Sequence, residues 1–198
     1  MNRIRLALLA PVACLSLTAC GVNSIPTAEE EVNAKWANVQ SDYQRRADLI
    51  PNLVSSVQGA AAQERNVLRE VTEARAGATR ITVSPEQLDD PEAMRRFSEA
   101  QGRLSQAIIP LQRLQEAYPD LKTNQNFLAL QSQLEGTENR INISRKDYNQ
   151  AVQAYNTRIR TFPDIIGAKI FYGAEPKAPF EAITPGAETA PTVTFNQQ

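Results

Sequence analysis

The sequence contains 198 residues, of which 42% are hydrophobic and 22% charged, and its 21 basic and 22 acidic side chains nearly cancel. This balance argues against nucleic-acid binding, which requires a basic surplus on one face. Because the sequence has no histidine, a Ser-His-Asp triad, an imidazole general base and a His-ligated metal are all excluded. The two cysteines, Cys14 and Cys20, both lie near the N-terminus, so a Cys-rich zinc site in the rest of the chain is also excluded. We therefore expect no metal, no cofactor other than a covalent lipid, and no enzymatic activity.

Residues 1–19 have the pattern of a bacterial lipoprotein signal peptide. Two arginines precede an apolar run over residues 6–17, which is shorter than the roughly 20 residues that cross a bilayer. The run ends in Leu17-Thr18-Ala19-Cys20, which is similar to a lipobox. We predict cleavage after Ala19 and lipid attachment at Cys20. A short transmembrane anchor and an ordinary secretory signal are the alternatives.

The remaining chain divides into three parts. Residues 20–27 form the lipidated tether, residues 28–180 the folded domain, and residues 181–198 a disordered tail rich in Pro and Thr. Gly21 stands where an inner-membrane retention signal would have an acidic residue. The sequence thus predicts an outer-membrane lipoprotein facing the periplasm.

The first predicted helical region runs from residue 28 to about 76. Aromatic and aliphatic residues recur there every seven positions, at Trp36, Tyr43, Ile50 and Val57. This spacing keeps one face of a helix apolar. Pro51 lies inside the region, so we expect a kink or a helix restart capped by Asp48.

Two more long helices follow, over residues 91–117 and 124–162. Asp90 is the predicted N-cap of the first, and Thr123 or Asn124 that of the second. Large residues again recur every seventh position: Phe97, Leu104, Leu111 and Tyr118 in the first, and Phe127, Leu134, Ile141, Tyr148, Tyr155 and Phe162 in the second. We predict an all-α, elongated, antiparallel up-and-down bundle whose helices wrap around one another with a left-handed twist. The apolar residues 165–180 close one end as a short helix or extended segment.

Long phrases of the sequence resemble the LemA family over about residues 36–180. The clearest are Asp48-Leu49-Ile50-Pro51-Asn52-Leu53-Val54, Val71-Thr72-Glu73-Ala74-Arg75, Glu116-Ala117-Tyr118-Pro119-Asp120-Leu121-Lys122, Leu134-Glu135-Gly136-Thr137-Glu138-Asn139-Arg140-Ile141 and Tyr148-Asn149-Gln150-Ala151-Val152-Gln153-Ala154-Tyr155-Asn156. The resemblance implies a four-helix up-and-down bundle outside the cytoplasm. It implies almost no mechanism, because the family has no agreed biochemical activity. Relatives look like membrane-associated adaptor or accessory proteins. The chain departs from the family in carrying a lipobox instead of a transmembrane helix, and Gln63-Glu64 instead of a His-Glu pair.

Polar residues at seam positions have two interpretations. Arg46, Glu64 and Arg158 fall where the seven-residue pattern calls for apolar side chains. They could form polar layers that fix the register of the helices, or Glu64 could be a buried acid for proton transfer. We favour the polar layers.

Tyr148, Asn149, Tyr155 and Asn156 form a stripe along the last helix, hereafter the Tyr/Asn stripe. It is a candidate interaction surface, although interior tyrosines satisfied at the bundle edge are the more common explanation. The leading functional hypothesis is a lipid-anchored adaptor or scaffold that contacts an unidentified envelope protein, without nucleic acid or a small-molecule substrate. The alternatives are a small-ligand carrier or unrecognised enzyme using the stripe, and a passive structural lipoprotein.

Overall fold

A computed structural model describes residues 23–181, so the predicted signal peptide, Cys20 and most of the predicted tail lie outside the described residues. Within this part the chain is helical and contains no β-strand, which confirms the all-α prediction. The elements in chain order are α1 (Ser24–Gln58), α2 (Arg65–Arg80), a 3₁₀ turn (Pro85–Gln87), α3 (Pro91–Ala117), α4 (Pro119–Thr123), α5 (Gln125–Arg158), α6 (Asp164–Gly167) and a π-helical turn (Ala168–Tyr172). An extended stretch over residues 173–181 follows.

Helix α1 continues through Pro51, so the predicted restart at Asp48 is wrong. Proline has no amide hydrogen, and the carbonyl of Ala47 therefore loses its intrahelical partner. The Nε of Arg75 donates to this carbonyl at 2.7 Å. A side chain of α2 thus replaces the missing backbone bond and ties α2 to α1. The Asp48 carboxylate accepts from the Gln44 side chain at 2.8 Å.

The first predicted helix, residues 28–76, is in fact two helices joined by a turn at residues 59–64. The amides of Ala60 and Ala61 both donate to the carbonyl of Val57, at 3.0 and 2.8 Å, which ends α1. Helix α2 then folds back along α1. The seven-residue pattern is interrupted at Glu64 in the turn and resumes at Val71 and Ala78, because both helices bury an apolar face in the same core.

Local capping signals place the next helices correctly. Helix α3 begins with Pro91 and ends at Ala117, as predicted, and the Asp90 side chain accepts from the amide of Glu92 at 2.9 Å. Asn124 caps α5 by accepting from the amides of the second and third helical residues. Side-chain oxygens at both N-caps satisfy amides that have no helical partner.

Helix α1 begins earlier and the last long helix ends earlier than predicted. Helix α1 starts at Ser24 and buries Ile25, so residues 24–27 of the predicted tether are helical. Helix α5 ends at Arg158 rather than at residue 162.

The four long helices alternate in direction, as the bundle prediction requires. Helices α1 and α5 pack along each other, and α2 packs on α3. We call the end of the bundle at Ser24 the proximal end and the end at the 59–64 turn the distal end. Helix α2 reaches only the distal half. In the proximal half its place is taken by residues 81–90 and by the extended C-terminal stretch.

The interior consists of two apolar clusters stacked along the bundle axis. The proximal core contains the aromatic residues Trp36, Tyr43, Phe97, Tyr148, Tyr155 and Phe180. The distal core is mainly aliphatic and includes Leu53, Leu104, Leu111, Phe127 and Leu134. The largest buried polar side chain, Arg46, lies between the two.

Candidate functional site

The Tyr/Asn stripe faces the chain's own extended C-terminal stretch. Tyr148 and Tyr155 are 0% and 1% exposed, and both rings belong to the proximal core. Asn149 and Asn156 are each one residue further along α5 and bind the backbone of the same extended stretch. We call residues 174–181, which lie against these four side chains, the C-terminal strap.

Each asparagine of the stripe binds one residue of the strap at two points. The Asn149 side chain donates to the carbonyl of Phe180 at 3.0 Å and accepts from its amide at 2.8 Å. Asn156 does the same for Lys177, with both distances 2.8 Å. The two side chains therefore imitate the backbone pairing that a neighbouring β-strand would supply.

The spacing of the two asparagines matches the geometry of the strap. Seven residues of an α-helix rise about 10.5 Å, and three residues of extended chain span about 10 Å. Asn149 and Asn156 are seven residues apart, and their partners Phe180 and Lys177 are three residues apart. The seven-residue repeat on α5 is thus the spacing that an antiparallel extended segment requires.

The strap also completes the aromatic core. The Tyr148 hydroxyl donates to the carbonyl of Ala178 at 2.9 Å. The ring of Phe180 lies 5.5 Å from that of Tyr148 and 5.7 Å from that of Trp36, measured between centroids. Burial raises the pKa of Tyr148 well above its ordinary value. Burial, assisted by the negative charges of Glu29 and another nearby carboxylate, raises the pKa of Tyr155 to about 12.

These contacts answer part of what the sequence left open about the stripe. Its two tyrosines are interior residues, and its polar groups bind a segment of the same molecule. Sequence reasoning missed Lys177 and Phe180 as the partners, although it recognised that residues 165–180 are too apolar for a free tail.

An open groove of about 730 Å³ runs beside the strap. One wall is the start of α3, and the other is formed by the strap and the end of α5. Its charged lining residues are Asp90, Glu92, Arg95, Glu99, Arg160, Lys177 and Glu181. Arg95 pairs with both Glu92 and Glu99 along α3. The groove is thus an open surface with several charged side chains, three of which pair with one another, rather than an enclosed cavity.

Arg46 forms the one predicted seam layer that is fully buried, at 1% exposure. Its guanidinium donates to the Gln101 side-chain and backbone oxygens at 2.7 and 3.1 Å and to the Ser105 hydroxyl at 2.7 Å. It also pairs with Glu138 of α5 at 2.9 Å. A single side chain of α1 therefore binds both α3 and α5 between the two cores. The Nε of Arg46 has no partner.

The other two seam residues do not form internal layers. Glu64 lies in the turn before α2, where its carboxylate accepts from the Tyr118 hydroxyl at 2.8 Å. This contact raises the pKa of Tyr118. Arg158 lies at the proximal end, 43% exposed, and contacts Asp164 and the carbonyl of Ser24. The seven-residue pattern wrongly predicted internal layers at these two residues, because α1 ends before Glu64 and the bundle ends near Arg158.

Residues 23–181 contain neither a membrane-spanning helix nor a cluster of metal-ligating side chains. No helix in that range is long and apolar enough to span a membrane. In the same range no three His, Cys, Asp or Glu side chains converge as metal ligands would.

Comparison with known proteins identifies the family. The LemA family profile matches residues 35–195. Magnetosome proteins MamQ 2 and MamQ 1 of Paramagnetospirillum magneticum are each 26% identical over 174 residues, which cover 80% of this chain and 64% of theirs. Magnetosome protein MamQ of Magnetospirillum gryphiswaldense is 26% identical over 177 residues, covering 81% of this chain and 65% of its own. The chain thus spans less than two thirds of the length of these relatives. Because the family match extends over most of its residues, including the stripe and the strap, this chain belongs to the LemA family.

Proposed function

We propose that this protein is a membrane-anchored adaptor of the bacterial cell envelope that acts through contacts of its outer surface with another protein. The proposal rests on one observation: the internal polar groups of the protein already bind other parts of the same molecule. The Tyr/Asn stripe binds the strap, and Arg46 binds α3 and α5. These groups stabilise the fold, so the exposed helical faces and the charged groove are the surfaces on which a partner would bind.

The anchor we propose is a lipid on Cys20, which places the domain at the periplasmic face of the outer membrane. Helix α1 begins at Ser24, so residues 21–23 alone would separate the lipidated residue from the bundle. Three extended residues reach about 11 Å. Such a short connection would hold the proximal end at the bilayer surface and direct the rest of the domain toward soluble or membrane-bound partners. The relatives' names, which assign them to the magnetosome, favour a role within an organised bacterial structure.

Site-specific photo-crosslinking in intact cells tests the adaptor role. A photoreactive amino acid would replace Ile143 of α5 or Ile109 of α3, which are 61% and 45% exposed. The matched control is Leu104, which is 0% exposed. We expect one adduct of constant mass at an exposed position, none at Leu104, and loss of the adduct in a Cys20→Ser variant.

Two results would contradict the proposal. Adducts that contain only a second copy of this chain would favour a structural lipoprotein that coats the membrane. Exposed positions that never crosslink, in cells where the protein is folded and anchored, would leave no surface on which an adaptor acts.

A further inference from the structure

The proximal end carries an exposed apolar patch made of the segment between α5 and the strap. We call it the proximal patch, and it consists of Phe162, Ile166, Ile170, Phe171 and Tyr172. These side chains are 79%, 49%, 70%, 68% and 44% exposed, respectively. Isolated exposed apolar residues are normal, but five within eleven positions form a surface that water solvates poorly.

The proximal patch lies beside the point where the chain enters the bundle. The Ser24 hydroxyl donates to the carboxylate of Asp164 at 2.8 Å, and Arg158 donates to the carbonyl of Ser24 at 2.9 Å. Asp164 belongs to α6, which connects Phe162 to the rest of the patch. Direct hydrogen bonds thus hold the first residue of α1 to the segment that carries the patch.

The residues that precede α1 indicate what covers the patch. The apolar run over residues 6–17 and the lipobox cysteine Cys20 both precede Ser24 by a short stretch. With the lipid anchor proposed above on Cys20, the membrane would lie within a few residues of Ser24. The other end of the described chain is further away, because Glu181 lies against Arg145, about 20 Å along α5 from Arg158.

The charges within the segment that carries the patch also fit a bilayer. Arg160 and Lys169 are exposed, whereas Asp164 is 17% exposed and already paired with Arg158. The segment from Arg158 to Tyr172 therefore has a net positive charge. Aromatic side chains favour the boundary between headgroups and acyl chains, and cations next to them are attracted to anionic headgroups.

We propose that the proximal patch inserts into the surface of the lipid bilayer, with Phe162, Ile170 and Phe171 at the depth of the headgroup boundary. This inference rests on the membrane anchoring in the proposed function and extends it. The anchor fixes the distance of the domain from the membrane, and the patch fixes its orientation. The bundle axis then stands away from the bilayer, and the distal end points toward the partner.

An environment-sensitive fluorescent amino acid tests this contact in the full, processed protein reconstituted in vesicles of phosphatidylcholine and phosphatidylglycerol. It would replace Phe171 in one sample and Ile143 in the control, since Ile143 is similarly exposed but lies in the middle of α5. We expect blue-shifted emission at position 171 and quenching by nitroxide-labelled lipid about threefold stronger than at position 143. Phe162→Ser combined with Ile170→Ser should reduce this quenching, and Gln150→Ser should not.

The outcomes separate this inference from the anchor itself. Mass spectrometry of the same sample reads the acylation of Cys20. Acylated protein whose probe at position 171 remains as exposed to water as the probe at 143 would overturn the inference and leave the anchor intact. A blue shift without lipid quenching that grows with protein density would indicate contact with a second copy and would also overturn it. If mass spectrometry finds the processed protein unacylated, the lipid anchor is refuted. Quenching at position 171 in that protein would still support the contact of the patch with the membrane.

Discussion

Removing one asparagine from the Tyr/Asn stripe should loosen the C-terminal strap before it unfolds the bundle. In Asn149→Ala, the amide and carbonyl of Phe180 both lose their partner. Phe180 is 6% exposed, so water reaches these groups poorly while the strap stays bound. Leaving buried polar groups unpaired costs about 1–3 kcal/mol, and we expect a loss of stability of that order.

The double variant Asn149→Ala, Asn156→Ala should lose less than the sum of the two single losses. The combined loss of stability cannot exceed the free energy needed to detach the strap, because neither asparagine contributes once the strap is detached. Detachment exposes the Phe180 ring, which costs about 1.5–3 kcal/mol, and breaks the Tyr148 hydrogen bond to Ala178. The conformational entropy that the strap regains when it detaches offsets part of this cost. Two sites without a common partner would instead give additive losses.

Hydrogen exchange and denaturant unfolding together measure both effects. Exchange of the Lys177 and Phe180 amides should accelerate by about tenfold or more in Asn149→Ala, since each 1.4 kcal/mol is a factor of ten. Unfolding can be followed by the fluorescence of Trp36, whose ring lies 5.7 Å from Phe180. Gln150→Ala, an exposed amide on the same helix, is the matched control. Unchanged exchange at Phe180, or fully additive losses in the double variant, would refute the assigned role of the strap.

Three further predictions concern the interior of the bundle. Arg46→Ala should lower the free energy of unfolding by about 3–5 kcal/mol, because it leaves a cavity and unpaired polar groups. Arg46→Met fills most of that space and should lower it by at most about 2 kcal/mol. Equal losses in the two variants, measured by denaturant unfolding, would contradict this account. Arg75→Ala should lower the free energy of unfolding by roughly 1–3 kcal/mol when Pro51 is present, because the carbonyl of Ala47 then loses its partner. Pro51→Ala restores an amide that can donate to this carbonyl. A double-mutant cycle should therefore show a smaller loss from Arg75→Ala in the Pro51→Ala variant. Burial raises the pKa of Tyr155 from 10.0 to about 12, so above pH 10 the folded state binds more protons than the unfolded state and the free energy of unfolding should fall as pH rises from 10 to 12. Tyr155→Phe should make this decline shallower, and an unchanged slope would contradict the assignment.

The parts of the fold that depend on local chemistry were predictable from sequence. Asp90 followed by Pro91 specifies a helix start, since the carboxylate satisfies a free amide and proline needs no partner in the first turn. Capping chemistry also limited the start of the last long helix to Thr123 or Asn124, and the structure shows Asn124 as the N-cap. Both boundaries depend on a few adjacent residues, and neighbouring helices do not change them.

The turn at residues 59–64 could not be predicted in this way. Its residues include Ala60 and Ala61, which are good helix formers, and Gly59 has right-handed dihedral angles that any residue adopts. The apolar spacing also continues into α2. The chain turns there because α2 packs on α1 and α3, a contact between distant segments that no local signal records.

The candidate site was half predictable for a similar reason. The sequence indicated both the stripe and the apolar segment after Phe162, but their pairing required two facts from the structure. Residues 177–180 had to be extended, and they had to run antiparallel to α5. Only then does the spacing of Asn149 and Asn156 match the strap.

The conformation of one residue connects the proximal patch to the interior. Gly173 lies between Tyr172 of the patch and the first residue of the strap, and it has φ 55°, the only positive φ among residues 23–181. A side chain at this position would be strained, since L residues rarely adopt the left-handed conformation. The glycine redirects the chain from the bundle end into the groove beside α5. The position of the patch is therefore set by the strap behind it as well as by the Ser24 contact in front, and both attachments depend on the proximal core, whereas the distal core beyond Arg46 contributes to neither.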